Sequence, residues 1–142
     1  MLENINIESS IAVYIQIENQ VQFAIASGEL KAGDQLPAVL KLAEKLGLNP
    51  NTVAKAYRDL EVMGYLYMRR GMGCFVAKGI EAKCRDTVRR RLVVRLHEVV
   101  AEAKAAGISA SQVGSLTAKC YASDAGLYAE TPKSLLALAK SK

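Results

Sequence analysis

Histidine and cysteine are scarce in this sequence, and their spacing argues against metal and disulfide chemistry. The 142 residues include one histidine, His97, and three cysteines, Cys74, Cys84 and Cys120. The cysteines are odd in number and form no C-x-x-C pair, and no second ligand lies near His97. We therefore predict no zinc site, no disulfide framework and no cofactor. A lone histidine also disfavours the usual acid–base arrangements, so we predict that the chain is not an enzyme.

Long apolar runs and a targeting pattern are also missing. Half of the residues are apolar (51%), yet no run approaches the ~20 residues that a membrane-spanning helix needs. The first ten residues, MLENINIESS, are polar and acidic, whereas a secretory signal is basic and then apolar. We expect a soluble cytoplasmic protein without a membrane partner. Its length suits one compact domain, or one domain with a small appendage.

Positive charge begins at Lys41 and dominates the rest of the chain. Residues 1–40 contain one basic residue (Lys or Arg) and five acidic residues (Asp or Glu). Residues 41–78 contain seven basic and three acidic residues, and residues 79–142 contain eleven basic and six acidic residues. The overall charge of +5 is weak evidence by itself because the first two segments cancel. Its distribution is more informative, and a basic segment is a common footprint of a nucleic-acid partner.

Apolar spacing and glycine punctuation predict three helices over the first half of the chain. Residues 12–27, 38–46 and 50–63 carry apolar side chains at helical spacing, and a glycine directly follows each segment. Ser9 or Ser10 is the predicted cap of the first helix. Asn49 caps the third, with Pro50 at its first position. The second and third helices, joined by a short turn containing glycine, predict a helix-turn-helix.

A hairpin is predicted next, and after it a helical tail. Residues 65–69 and 74–77 favour strands around a glycine-rich basic turn, which is the pattern of a wing. From Glu81 to Lys104 we predict one long helix, and then a second from Ser109 or Ser111 to Tyr121, with a weak final turn from Ser134. The long helix has apolar residues near heptad spacing, which we predict to form a dimer contact: Val88, Leu92, Leu96, Val99 and Ala103.

Four motifs in order closely resemble the DNA-binding domain of the GntR family of bacterial regulators: AGDQLP, LAEKLGLNPNTV, AYRDLEVMGY and RRGMGCFV. The Asn-Pro-Asn-Thr-Val helix start and the short tail look most like the YtrA subfamily. This resemblance implies a mostly α fold with a small β-wing: an N-terminal winged helix-turn-helix (residues 1–78) and a short helical dimerisation tail (residues 79–142). It also implies a sequence-specific regulator of transcription, a homodimeric repressor that binds a palindromic operator in double-stranded DNA.

The sequence departs from the family at three positions. The family often has serine after the Leu-Pro pair and a DNA-contacting arginine three residues beyond that proline, where this chain has Ala38 and Leu40. Lys41 is the nearest cation that can substitute for the arginine. In the wing, Cys74 occupies the family's usual threonine position.

The predicted DNA-binding residues lie in the second and third helices and the wing: Lys41, Pro50, Asn51, Thr52, Lys55, Arg58, Arg69, Arg70, Gly71 and Gly73. A recognition helix enters the major groove with its first turn leading. Asn51 can pair with adenine and Lys55 can reach guanine acceptors. The arginines suit phosphate contacts, which fix position without reading sequence, and the wing glycines allow a close backbone approach.

Other interpretations stay open at this point. The winged helix can serve as a protein-interaction module, because fold does not determine function. Cys74 in the wing can act as a redox sensor, although a small buried thiol is the simpler reading. The arginines of residues 89–91 suit either a phosphate clamp or a solvated helix face, and we favour the second. We place Tyr14, Tyr57 and Tyr65 in the core rather than in a ligand pocket, and the existence of a small-molecule effector stays open.

Overall fold

The computed structural model describes residue 2 and residues 4–138. In that part of the chain the elements are α1 (Val13–Ser27), α2 (Val39–Leu46), α3 (Pro50–Val62), β1 (Leu66–Arg69), β2 (Gly73–Val76), α4 (Glu81–Ala105), α5 (Ala110–Ala122) and α6 (Lys133–Leu138). The predicted mostly helical fold with a small wing is confirmed. The contacts divide the chain into two compact units, Met1–Arg89 and Arg90–Lys142. The functional division that we predicted after residue 78 stays a prediction.

The first unit is built around α3, which packs against α1, α2 and β1. Its fully buried apolar side chains come from α1, α2, α3, the wing and the start of α4: Ile17, Val21, Ile25, Leu42, Val53, Leu60, Val76 and Cys84. Full burial of such a side chain contributes roughly 1.5–3 kcal/mol relative to leaving it exposed. This packing holds α3 with one face inward and the opposite face in solvent. Among the described residues no helix is long and apolar enough to cross a membrane.

The start of α3 follows the sequence pattern, but the start of α1 does not. The side chain of Asn49 accepts a hydrogen bond from the Asn51 N–H (2.8 Å), and Pro50 is the first residue of α3. The predicted serine cap of α1 is wrong, because Ala12 is the N-cap residue and no side chain caps it. Ser9 instead accepts from the Ile11 N–H at 3.1 Å.

A buried glutamine organises the segment before α1 in place of a serine cap. Gln16 is fully buried, and its amide nitrogen donates to the carbonyl oxygens of Asn6 (2.7 Å) and Ile11 (2.8 Å). Its amide oxygen accepts from the Asn6 N–H at 2.9 Å. One turn later, Gln20 donates to the Asn4 carbonyl oxygen at 2.6 Å. These bonds hold the N-terminal segment on α1.

The wing is an antiparallel hairpin with the loop before α2 along its second edge. Leu66 pairs with Val76 and Arg69 with Gly73, so each strand starts one residue from its predicted position. On the other side of β2, the Leu36 N–H donates to the Cys74 carbonyl oxygen (2.8 Å), and the Val76 N–H donates to that of Asp34 (2.9 Å). The AGDQLP motif thus supplies a third extended segment of the wing.

The second unit contains the rest of α4 together with α5 and α6. Of the two predicted starts of α5, Ser109 and Ser111, the structure has Ser109 as the cap. Its hydroxyl accepts from the Gln112 N–H (3.2 Å) while the Gln112 side chain accepts from the Ser109 N–H (2.8 Å). This reciprocal pair is a capping box. The short α6 contacts α5 and begins one residue before the predicted final turn; Ala139, the last residue of that turn, lies outside the described residues.

Candidate DNA-binding surface

One face of α3 is exposed along its whole length. At 100° per residue, Asn51, Lys55, Arg58 and Val62 lie opposite the buried face. All four are exposed, and Val62 is 87% exposed. The structure therefore places three of the predicted residues on one helical stripe. Val62 was missed, although its position one turn after Arg58 is a signal in the sequence. Met63, the residue after the end of α3, is 39% exposed.

In the first turn of α3, the backbone N–H groups of Asn51 and Thr52 are already hydrogen-bonded within the protein. The Asn51 N–H is held by the side chain of Asn49, and the Thr52 N–H donates to the Asn49 carbonyl oxygen at 3.0 Å. Pro50 has no N–H to offer. The groups that remain available are the amide of Asn51, which is exposed, and the hydroxyl of half-buried Thr52. Both suit contacts with base edges.

The ammonium group of Lys55 is held at one edge of the exposed face. Its Nζ lies 3.1 Å from a carboxylate oxygen of Asp59 and 4.6 Å from the centre of the Tyr14 ring on α1. Hydrogen bonds from Glu18 and then from Lys55 lower the pKa of Asp59. Neither the Tyr14 nor the Glu18 contact was predicted, because both cross between helices that are far apart in sequence.

The tip of the wing carries the predicted basic residues. Arg69, Arg70 and Gly71 are exposed, and the turn is closed by the Met72 N–H, which donates to the Arg69 carbonyl oxygen at 2.9 Å. Gly73 has a φ of +116°, and a Cβ atom there would lie 2.8 Å from the amide nitrogen of Gln35. Glycine at this position therefore has a reason inside the protein, separate from the close approach to DNA that we predicted.

The helix before the recognition helix exposes two lysines, Lys41 and Lys45, and the apolar side chain of Leu40. Lys41 is exposed on α2. Leu40, at the position where the family has arginine, is 71% exposed. Lys41 is therefore accessible for a phosphate contact, whereas Leu40 offers only an apolar one.

The predicted dimer residues separate into two groups. Val88 is only 7% exposed and belongs to the core of the first unit. Because its side chain packs within its own chain, we no longer include it in the predicted dimer contact. The others lie in the second unit, where Leu92, Leu96 and Val99 are 49%, 57% and 56% exposed and Ala103 is half-buried. These exposed apolar residues are available for contact with another surface.

Two of the three tyrosines are buried as predicted. Tyr57 and Tyr65 are each 3% exposed. The Tyr57 hydroxyl donates to the Pro37 carbonyl oxygen at 2.8 Å, and burial raises the pKa of Tyr57. Tyr14 is half-buried against the core and contacts Lys55. The bond from Tyr57 fixes the loop before α2 to α3, and so connects the loop segment of the wing to the recognition helix.

Burial also makes Cys74 a poor redox sensor. The side chain is 4% exposed, and burial, with a smaller contribution from the charge of Glu61, raises the pKa of Cys74 to about 11. Because the thiolate is the reactive form, this thiol is both inaccessible and protonated at neutral pH. The structure thus favours the interpretation of Cys74 as a small buried residue.

We expect the three thiols to differ sharply toward a maleimide reagent at pH 8. Cys120 is exposed, whereas Cys74 and Cys84 are buried. One thiol per chain should react within minutes in the folded protein, and all three should react after unfolding in guanidinium chloride. Mass spectrometry of the labelled peptides identifies the reactive residue. Rapid labelling of Cys74 in the folded protein would reopen the redox interpretation.

Comparison with known proteins agrees with this geometry. The family described as bacterial regulatory proteins, gntR family, matches residues 13–76. The repressor YtrA of Bacillus subtilis is 33% identical over 100 residues, which cover 70% of this chain and 77% of YtrA. The chain belongs to the GntR family. It is a YtrA-like regulatory protein, and its N-terminal unit is the DNA-binding winged helix-turn-helix of that family.

Two further similarities extend the comparison. The transcriptional regulator YhcF of Bacillus subtilis is 38% identical over 74 residues, or 52% of this GntR-family chain, and the match spans 61% of YhcF. The crystal structure of a transcriptional regulator from Oenococcus oeni has a TM-score of 0.63 at 29% identity and covers 84% of this chain and 98% of its own. The similarity to a solved structure therefore extends well beyond the 13–76 segment.

Proposed function

We propose that this GntR-family protein is a homodimeric transcriptional repressor that binds a palindromic operator on cytoplasmic DNA. The single observation that carries the proposal is the exposed stripe of α3, where Asn51, Lys55 and Arg58 face solvent together. Amide and ammonium groups on one helix face match the donor and acceptor code of the major groove. The name of the similar protein YtrA, a transcriptional repressor, supports the direction of regulation.

The wing and α2 supply the contacts that fix position on the duplex. Arg69 and Arg70 stand at the exposed tip of the hairpin, and Lys41 is exposed on α2. Contacts of these cations with phosphates would neutralise backbone charge and release counterions, which makes binding weaken as salt increases. Gly71, with nothing within 4 Å of a Cβ placed there, leaves room at the tip for the sugar–phosphate backbone.

The apolar residues of α4 in the second unit support the dimer. Leu92, Leu96 and Val99 repeat at near-heptad spacing and are about half exposed in the single chain. Solvated apolar rows of this kind are typical of interaction surfaces. A two-fold dimer presents two recognition helices in opposite orientations, so its preferred site is a palindrome with two half-sites.

Selection of bound fragments from a random duplex pool, followed by sequencing, tests this function. The expected result is one enriched palindrome, with affinity that falls steeply between 50 and 200 mM salt, as about six or more phosphate contacts would require. Binding without any enriched sequence would reject the specific operator. Absence of duplex binding would favour a protein-interaction module.

Alanine substitutions of Asn51 and of Arg70 are expected to change DNA binding in different ways. Asn51→Ala should lose about 1–3 kcal/mol of discrimination at one base pair of each half-site, because a paired contact with adenine is removed. Arg70→Ala should weaken binding to all sequences and reduce the slope of log K against log salt by about one per subunit. Titrations of single-base operator variants at several salt concentrations distinguish the two. Equal loss of sequence preference in both variants would contradict the division into reading and positioning residues.

A further inference from the structure

Four side chains connect the core-facing side of α1 to the exposed face of the recognition helix. Tyr14 and Glu18 are separated by one turn of α1, and Lys55 and Asp59 by one turn of α3. The Lys55 Nζ lies over the Tyr14 ring (4.6 Å to its centre) and 3.1 Å from Asp59. A side-chain hydrogen bond from Glu18 is the largest of the effects that lower the pKa of Asp59. These contacts form a continuous chain from a buried group to an exposed cation.

The burial of the two carboxyl groups favours one direction for the hydrogen bond between them. Two carboxyl groups share a hydrogen bond only if one of them carries the proton. Glu18 is 6% exposed, and burial disfavours a charged carboxylate. Asp59 is more exposed and lies beside the Lys55 cation, which favours its charged form. Both effects favour Glu18 as the donor and the Asp59 carboxylate as the acceptor, in agreement with the lowered pKa of Asp59. Asp59 then interacts with Glu18 on one side and with Lys55 on the other.

We propose that Tyr14 and Glu18, neither of which lies on the exposed stripe of α3, are positioning residues that set the base preference of Lys55. This inference rests on the proposed operator binding. An unrestrained lysine is a flexible point charge that can reach many acceptors. A lysine caged by an aromatic ring and an anchored carboxylate reaches the groove from one direction. The ordering that DNA binding would otherwise require is then already present in the free protein.

The arrangement also explains why these residue types occur on α1. A tyrosine ring offers a face that attracts an ammonium group, which an aliphatic side chain of similar volume does not. A protonated carboxyl group supplies a hydrogen-bond donor in the buried position, which an aliphatic residue cannot supply. Each requirement therefore suggests a pair of substitutions, one that keeps the interaction and one that removes it.

The experiment compares single-base operator variants across two matched pairs of full-length proteins. Tyr14→Leu removes the ring and Tyr14→Phe keeps it; Glu18→Leu removes the donor and Glu18→Gln keeps one. Lys55→Ala first identifies the base pair whose preference depends on Lys55. At that base pair, Tyr14→Leu and Glu18→Leu should reduce discrimination about 2- to 5-fold. Tyr14→Phe and Glu18→Gln should retain it, and preferences at other base pairs should not change.

A readout without DNA separates this inference from the proposed function. In NMR spectra of the free protein, the Lys55 methylene protons next to Nζ should show an upfield ring-current shift that Tyr14→Leu abolishes and Tyr14→Phe retains. Unchanged base preference in both leucine variants, or equal loss at every base pair, would overturn the positioning role. The same holds if no ring-current shift is seen in the wild-type protein. Failure of the wild-type protein to select any DNA sequence would instead reject the proposed function. If a leucine variant does not fold, Asp59→Asn removes the carboxylate between Glu18 and Lys55, and the same loss at the same base pair is expected.

Discussion

Leu96→Asp is expected to convert the dimer into a monomer and to lower operator affinity at least about 30-fold, the equivalent of a contact worth 2 kcal/mol or more. Leu96 is 57% exposed in the single chain, so the substitution should change the stability of an isolated subunit by no more than about 0.5 kcal/mol. In the proposed dimer, however, the aspartate would be buried against an apolar partner surface without a counter-ion. Sedimentation equilibrium and operator titration measure the two effects.

Val94→Asp is the matched control. Val94 is 52% exposed and lies two residues from Leu96, hence on the other side of α4. Both substitutions replace an apolar residue of similar exposure with the same charge on the same helix. Only Leu96→Asp should dissociate the protein. A dimer that survives Leu96→Asp, or that Val94→Asp disrupts equally, would place the subunit contact on a different surface.

Gly73→Ala is expected to lower the free energy of unfolding by about 2–4 kcal/mol. At a φ of +116° a side chain causes backbone strain, and such strained positions cost about 1–3 kcal/mol each. The added Cβ atom would also lie 2.8 Å from the Gln35 amide nitrogen and displace it. The hydrogen bond from Gln35 to the Met72 carbonyl oxygen (2.8 Å) would then be lost, at about 0.5–1.5 kcal/mol.

Gly71→Ala in the same hairpin is the control without crowding. Gly71 also has a positive φ, 76°, but nothing lies within 4 Å of a Cβ atom placed there. We expect a loss of about 1 kcal/mol, the cost of a left-handed residue alone. Urea unfolding followed by circular dichroism gives both values. Equal destabilisation by the two substitutions would show that the contact with Gln35 does not contribute.

The elements of the first unit were predictable because each carries its own local signal. Asn49 and Pro50 specify the start of α3, and the glycines after each helix specify its end. The failure at α1 has a physical cause: Ser9 and Ser10 are suitable caps, but the helix begins after Ala12, and the buried Gln16 holds the preceding segment through the backbone groups of Asn6 and Ile11. No local rule reveals that a glutamine six or seven residues later is buried and turned back toward the chain.

The candidate site was predictable as a set of exposed polar residues, but its internal contacts were not. Helical spacing alone puts Asn51 and Arg58 on one face. The cage around Lys55 depends instead on the packing of α1 against α3, and periodicity does not specify which side chains meet across that contact. For the same reason the heptad pattern included Val88, which has suitable spacing but is covered by the core of its own chain.

The hydrogen bonds that connect the wing to the loop before α2, and that loop to α3, have a consequence for the evolution of operators. The main-chain bonds of Leu36 and Val76 and the bond from Tyr57 to Pro37 leave no hinge between the hairpin and the recognition helix. The separation between the bases under the helix and the phosphates under the wing is then a fixed dimension of each subunit. Binding sites across a genome can diverge in base sequence. An insertion or deletion within a half-site, however, would lose either the base contacts of the helix or the phosphate contacts of the wing.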